Sequence, residues 1–420
     1  MTRLRLAASD TFRSIRTRNF RLFFTGQMLS MIGTWMEMVA ITWVVLDLTD
    51  SGLALGMVTA AQFGPTLLLG PWGGLLADRL DRHRFMVTTQ SCYAAVAVLL
   101  ATLVVTDHVS VPLLYTFAGV WGVLTALDNP TRRALVIDMV DHQDLPNAVG
   151  LNTALMTGSR VVGPALAGVL IAGPGVEWCF VLNAFSYVAV IGALLRMNRA
   201  ELRRSPQVPR SKGQLREGLR YTRQTQELWL PLVFIAVMGT LAFNYQVTLP
   251  LFAKRSLGGD ATAFTWLFAM MSLGSMLGAL TVARRRAMDV GFLVTYGTSM
   301  AVSTFAVAAA PVLPLALVAV VPLGFSSAVV MSGANAVMQL RADPRMRGRV
   351  LALLSTVFLG STPIGGPIVG AISEALGARA GLAVGGVAVA LVTVWVARQL
   401  HRTHPVGAPE TGETVPVAAA

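Results

Sequence analysis

The chain has 420 residues, of which 54% are apolar and only 13% charged, and its net charge is +12. A water-soluble domain carries roughly 25% charged residues, so this chain cannot cover a soluble fold of its length and must turn apolar surface toward a bilayer. The positive balance does not point to nucleic acid, because the arginines stand in short runs between apolar stretches and not along one polar domain.

Residues 1–21 are polar and arginine-rich, without the short apolar core and cleavage site of a secretory leader, and read as a segment preceding the first membrane anchor. About 20 apolar residues cross the hydrocarbon. Spans of that kind are predicted at 22–47, 52–77, 85–106, 111–136, 147–172 and 178–197, and again at 229–252, 262–283, 290–310, 314–338, 349–374 and 380–399. The reading is an all-α membrane protein: twelve transmembrane helices in two six-helix halves, 22–198 and 228–400. The linker at 199–227 holds Pro206 and Pro209, then a run with amphipathic spacing (Leu215, Leu219, Trp229) that predicts a short surface helix. The tail at 401–420 is Pro- and Ala-rich and is expected to be disordered.

The loops between these spans sort by charge. The segments 78–84, 131–146, 199–227, 284–289 and 341–349 share one side with both chain ends and carry nearly all the loop arginines. The alternate loops carry only Lys254, Arg255 and Arg379 as basic residues. Basic loops stay in the cytoplasm, so the expected topology is a multi-pass inner-membrane protein with both termini cytoplasmic. Weak internal repetition supports two related halves: Gly163-Pro164 with Gly168 is echoed at Gly366-Pro367 with Gly370.

Several functions are disfavoured. Cys92 and Cys179 both lie in apolar segments and give no disulfide framework. The histidines, His83 among them, fall at loops or in the tail, so neither a metal nor a cofactor is expected. No G-x-x-x-x-G-K-[ST] loop is present, against a self-contained ATP-driven pump. An enzyme is disfavoured because there is no G-x-S-x-G, no intramembrane histidine and no carboxylate cluster. A non-transporting sensor would need a sizeable output domain, and the polar stretches are short.

The strongest local motif is Gly74-Leu-Leu-Ala-Asp78-Arg79-Leu-Asp81-Arg82-His83-Arg84, between the second and third spans. It resembles the G-x-x-x-D-R-x-G-R-R loop of the major facilitator superfamily, with Asp81 and His83 as departures. The resemblance implies a cytoplasmic gate built from Gly74, Asp78, Arg79, Arg82 and Arg84, with Arg82 expected to pair with Asp128 at the end of the fourth span. In the fifth span, Arg160-Val-Val-Gly163-Pro164-Ala-Leu-Ala-Gly168 is similar to the Gly-Pro motif of the superfamily's proton-coupled antiporters. Phe20-Arg-Leu-Phe-Phe-Thr-Gly-Gln27, Asp128-Asn-Pro130-Thr-Arg-Arg133, Asn183-Ala-Phe-Ser186 and Arg347-Gly-Arg349 narrow the resemblance to the bacterial drug-antiporter branch that includes enterobactin and macrolide exporters. That branch implies a central cavity lined chiefly by the first, fourth, seventh and tenth spans. Polar stripes on those spans supply the cavity candidates Thr34, Trp121, Asn244, Tyr245, Asn335 and Gln339.

Two charges fall near mid-membrane, Glu37 in the first span and Arg160 in the fifth. Intramembrane ionisable residues are functional candidates by default. Two readings stay open: a static Glu37–Arg160 ion pair, or a Glu37 that takes up a proton with Arg160 setting its acidity. The expected function is secondary export of small amphipathic organic molecules by proton antiport, in a monomer, with uptake or facilitated diffusion as the alternative.

Overall fold

The computed structural model describes residues 12–203, 214–285 and 288–403. Pro206, Pro209 and the tail beyond Thr403 lie outside the described residues, as do the side chains of Asp78 and Leu215. Among the described residues there are twelve helices long and apolar enough to span a bilayer. They are α1 (Arg18–Thr49), α2 (Gly52–Arg79), α3 (Arg82–Val105), α4 (Val111–Met139), α5 (Leu145–Ala172) and α6 (Glu177–Leu195). The second half comprises α7 (Gln226–Ser256), α8 (Ala261–Arg284), α9 (Phe292–Ala309), α10 (Leu313–Arg341), α11 (Arg347–Leu376) and α12 (Ala378–Thr403).

In hydrocarbon every backbone N–H and C=O must be paired within its own segment, which selects helices. At 1.5 Å per residue the 32-residue α1 is about 48 Å long and overreaches a hydrocarbon core of about 30 Å. Its polar ends therefore lie in the two interfaces. An even number of crossings returns the chain to the face where it began, here called the terminal face; the other is the far face. The expected helix count and fold class are borne out. His83 departs from its loop placement: it is buried in the first turn of α3, with Nε2 2.8 Å from the Leu194 carbonyl oxygen.

Small residues set the helix packing. Inside the first half, Gly73 lies against the backbone of Ala126, so α2 and α4 meet without an intervening side chain. Between halves, α2 packs on α11 and α5 packs on α8. These two crossings correspond under the internal repeat, and each is built from one copy of the Gly-Pro motif. Gly163 faces Trp35 and Ile32 of α1, and Gly168 faces Thr265 of α8. Gly366 and Gly370 face Gly56 and Gly52 of α2.

α7 is the irregular span. It widens into π-turns at Met238–Ala242 and Phe252–Ser256 and breaks at Phe243 and Asn244. Pro250 lacks the N–H that would continue the ladder. The Asn244 side-chain amide donates to the Thr240 carbonyl at 2.8 Å, pairing one backbone group that the break frees. Before α7, the surface helix Gln214–Gln224 docks onto the start of α11: Glu217 pairs with Arg349 at 2.6 Å, and the Asp343 N–H donates to the Tyr221 hydroxyl.

Candidate functional site

Glu37 lies on the buried face of α1, 8% exposed. It accepts a short hydrogen bond from the Asn183 side-chain amide of α6, a residue with no exposed surface. Gly33, one turn before Glu37, makes this contact possible: a β-carbon there would collide with Asn183 and Ser186. Glu37 also lines a cavity with Thr34, Met38, Gln62, Trp121 and Gln246. The expected residues Thr34 and Trp121 therefore meet Glu37 in one place. Asn335 and Gln339 are exposed on α10. Asn244 and Tyr245 depart from the expectation of a cavity lining. Both are buried, Asn244 in the break of α7 and Tyr245 with its hydroxyl 2.9 Å from Ser327. The π-turn rotates them out of the helical stripe that the sequence spacing assumes.

Arg160 does not pair with Glu37. Its guanidinium lies over the Trp35 ring, 4.9 Å from the centroid, and Arg160 is exposed. The static ion pair is therefore not formed. Trp35 in turn touches Phe268 of α8, with ring centroids 6.4 Å apart.

The gate at the terminal face also differs from expectation. Arg82 grips Asp138, with Nη1 2.8 Å from both carboxylate oxygens. Asp128 lies about three turns deeper and has no exposed surface. It accepts from Thr89 at 2.8 Å, from Gln90 at 2.9 Å and from Arg132 on its own helix. The sequence reading stopped at the first carboxylate near the end of α4, whereas Arg82 opens α3 at the membrane edge and meets the last one. Arg79 and Arg84 are exposed.

At the far face, bonds cross between the halves. Lys254 of α7 donates to the Leu46 carbonyl at 3.1 Å and sits 3.3 Å from Asp50. Arg255 bonds the Asp50 carbonyl and carboxylate. On the other flank, Glu374 of α11 accepts from Ser51 Oγ at 2.6 Å and from the Leu53 N–H at 3.0 Å. Each charge suits the helix end it meets: cations gather at the carboxyl end of α1, and an anion caps the amino end of α2. With the glycine crossings behind them, these contacts shut the far face. Among the described residues α4 and α10 are not a principal packing pair, in contrast to the α2–α11 and α5–α8 crossings.

The sequence matches the transmembrane secretion effector family over residues 9–408. The chain belongs to that family, a branch of the major facilitator superfamily. The multidrug efflux pump Tap of Mycolicibacterium fortuitum is 27% identical over 365 residues, 83% of this chain and 87% of that relative. The staphyloferrin A transporter of Staphylococcus aureus is 23% identical over 268 residues; the matched part is 63% of this chain and 66% of the relative, just under two thirds of its length. A bacterial homologue of the human lysosomal transporter Spinster, solved in an inward-facing and occupied conformation, has the same fold: TM-score 0.72, 15% identity, 92% of this chain and 97% of that one. The resemblance stated from the motifs is borne out, and this secretion effector is a multi-pass membrane transporter for small molecules.

Sequence reasoning missed two partners in this family member, Asp138 for Arg82 and Asn183 for Glu37, and the whole far-face latch. A signal for the latch was present. Lys254 and Arg255 are two of the three basic residues on the wrong side of the charge rule, and both prove to be committed to Asp50. Asp50 and Glu374 are exposed; an exposed ion pair such as Lys254–Asp50 is worth up to about 1 kcal/mol, and the hydrogen bonds Glu374 accepts from Ser51 and Leu53 are worth about as much. In a Cys92→Ser background, a cysteine at Thr59 should react with an impermeant maleimide about fivefold faster when Asp50→Asn or Glu374→Gln is added. An unchanged rate would mean that these pairs do not hold the face shut.

Proposed function

We propose that this secretion effector exports small amphipathic organic molecules by proton antiport, rocking its two halves around a mid-membrane site. In this reading residues 22–198 and 228–400 move as two bodies on the linker, and the basic terminal face lies in the cytoplasm of the cell membrane. The observation that carries it is Glu37: an acidic side chain at mid-membrane, held by one amide, without a basic partner among the described residues, on the wall of a cavity shared with Thr34 and Trp121. A carboxylate so placed is expensive to keep charged and binds a proton once its surroundings dry. The name of one relative, a multidrug efflux pump, supports export as the direction.

The mechanism follows from the gates. The far-face latch and glycine crossings close one side, and cargo enters between α4 and α10 from the other. Export requires the far face to part and the Arg82–Asp138 side to close. Proton uptake by Glu37 would remove the charge that Asn183 holds and so change the α1–α6 contact.

Inverted membrane vesicles loaded with acid buffer test this. A fluorescent amphipathic dye should accumulate against its gradient and leave when a protonophore is added. Glu37→Gln should lower the proton-driven rate about tenfold or more while dye-for-dye exchange continues. Uptake into right-side-out vesicles, or a Glu37→Gln rate equal to the parent's, would overturn the reading.

A further inference from the structure

Arg160 is a mid-membrane charge that the antiport reading leaves unused and, unlike Asp128 with Arg132, it has no opposite charge against it among the described residues. Among the described residues no carboxylate pairs with it, and no hydrogen bond takes any of its guanidinium N–H groups. The other mid-membrane candidate, Glu37 of α1, is engaged with Asn183. Stacking on Trp35 uses the flat face of the guanidinium and leaves its edge, with five donors in a planar fork, open. A cation at this depth normally faces a pathway and is paired there. Facing lipid would be costly, and the stacking argues against it, since Trp35 is half-buried and backed by Phe268.

The place in the fold is equally specific. Gly163, one turn beyond Arg160, lets the α5 backbone close onto Trp35 of α1, and Gly168 brings α5 onto Thr265 of α8. Arg160 sits where these crossings end on the side of the terminal face. Its aromatic backing comes from both halves, Trp35 from the first and Phe268 from the second. A ligand held here touches both halves at once.

We propose that Arg160 is the anion-recognising group of the cargo site, and that the cargo class is amphipathic organic acids whose carboxylate takes the guanidinium edge while an apolar or aromatic body lies against Trp35. The planar fork matches a carboxylate in bidentate fashion, which an ammonium cannot reproduce. The inference deepens the transport reading and rests on it only in that cargo enters the space between the halves.

The test is binding of a matched pair of probes, pyrenebutyrate and its uncharged analogue pyrenebutanol, to the full chain in nanodiscs of zwitterionic lipid, with empty nanodiscs subtracted. The parent protein should bind the acid about tenfold more tightly than the alcohol, as one charge-assisted contact requires. Arg160→Gln should bring the two affinities within about twofold of each other while the alcohol still binds. Arg160→Lys keeps the charge and should retain part of the preference, which separates recognition from a folding defect. Equal binding of both probes by the parent, no binding of either, or a preference that survives Arg160→Gln would overturn the proposal. Since binding needs no gradient, the vesicle experiment can fail while this one succeeds, and the reverse.

Discussion

Gly56→Leu will hold the far face open and stop transport. A β-carbon at Gly56 would already meet the Gly366 carbonyl and lie 2.7 Å from Pro367 Cα. These are backbone atoms of a helix and cannot swing aside as a side-chain end can. Overpacking of this kind costs about 1–3 kcal/mol, roughly a 5- to 150-fold shift of a two-state equilibrium, so the steric wedge outweighs any single exposed ion pair of the latch. The helices within each half are untouched, and the protein should insert and purify normally. Impermeant maleimide should label a cysteine at Thr59 from the far face quickly in Gly56→Leu, and a cysteine at Gln339 more slowly than in the parent. Gly360→Ala is the control: its β-carbon would meet only the flexible Leu67 side chain, at 3.0 Å, and transport should persist. If Gly56→Leu transports at the parental rate, the α2–α11 crossing is not the closing surface.

The second large effect concerns the other face. Arg82 and Asp138 should show a coupling energy of about 2 kcal/mol in a double-mutant cycle of Arg82→Gln and Asp138→Asn, read from unfolding of the purified protein or from transport rate. Both side chains are largely buried, 12% and 4% exposed, and joined by two 2.8 Å bonds. Arg82 and Asp128 should show almost none, because Asp128 is served by Thr89, Gln90 and Arg132. Coupling to Asp128 in place of Asp138 would return the gate to the arrangement expected from the sequence.

These two contacts also mark how far the sequence could be read. The span number follows from apolar length, a local property, so the twelve-helix fold was legible in the sequence. The Gly-Pro segments were visible as a repeat, but what they touch was not, because a glycine carries no trace of its neighbour. Partner choice failed for the same reason at Arg82: two aspartates lie on α4 within reach of a sequence-level guess, and only the depth of each in the bilayer separates them. At Asn244 and Tyr245 the failure is of another kind. A stripe drawn at 3.6 residues per turn presumes an unbroken helix, and the π-turn of α7 shifts the register by one residue. Glu37 and Arg160 were found because charge in hydrocarbon is conspicuous. Their separation into two sites, one amide-held and one stacked on an indole, needed the third dimension.

That separation has an electrical consequence. A membrane voltage falls mainly across whichever part of the protein is sealed, so mid-depth charges sit at the potential of the face to which the cavity opens. When Glu37 is ionised the pair sums to zero, and only the charge of a bound cargo does electrical work as the faces switch. When Glu37 is neutral, Arg160 leaves one positive charge that crosses the field with each swing, worth about 2.3 kcal/mol per 100 mV at most. In the antiport proposed above, with the terminal face in the cytoplasm, a cell that is negative inside would draw the protonated, empty carrier back toward its cytoplasmic-open form, and voltage as well as the pH difference would drive the return stroke.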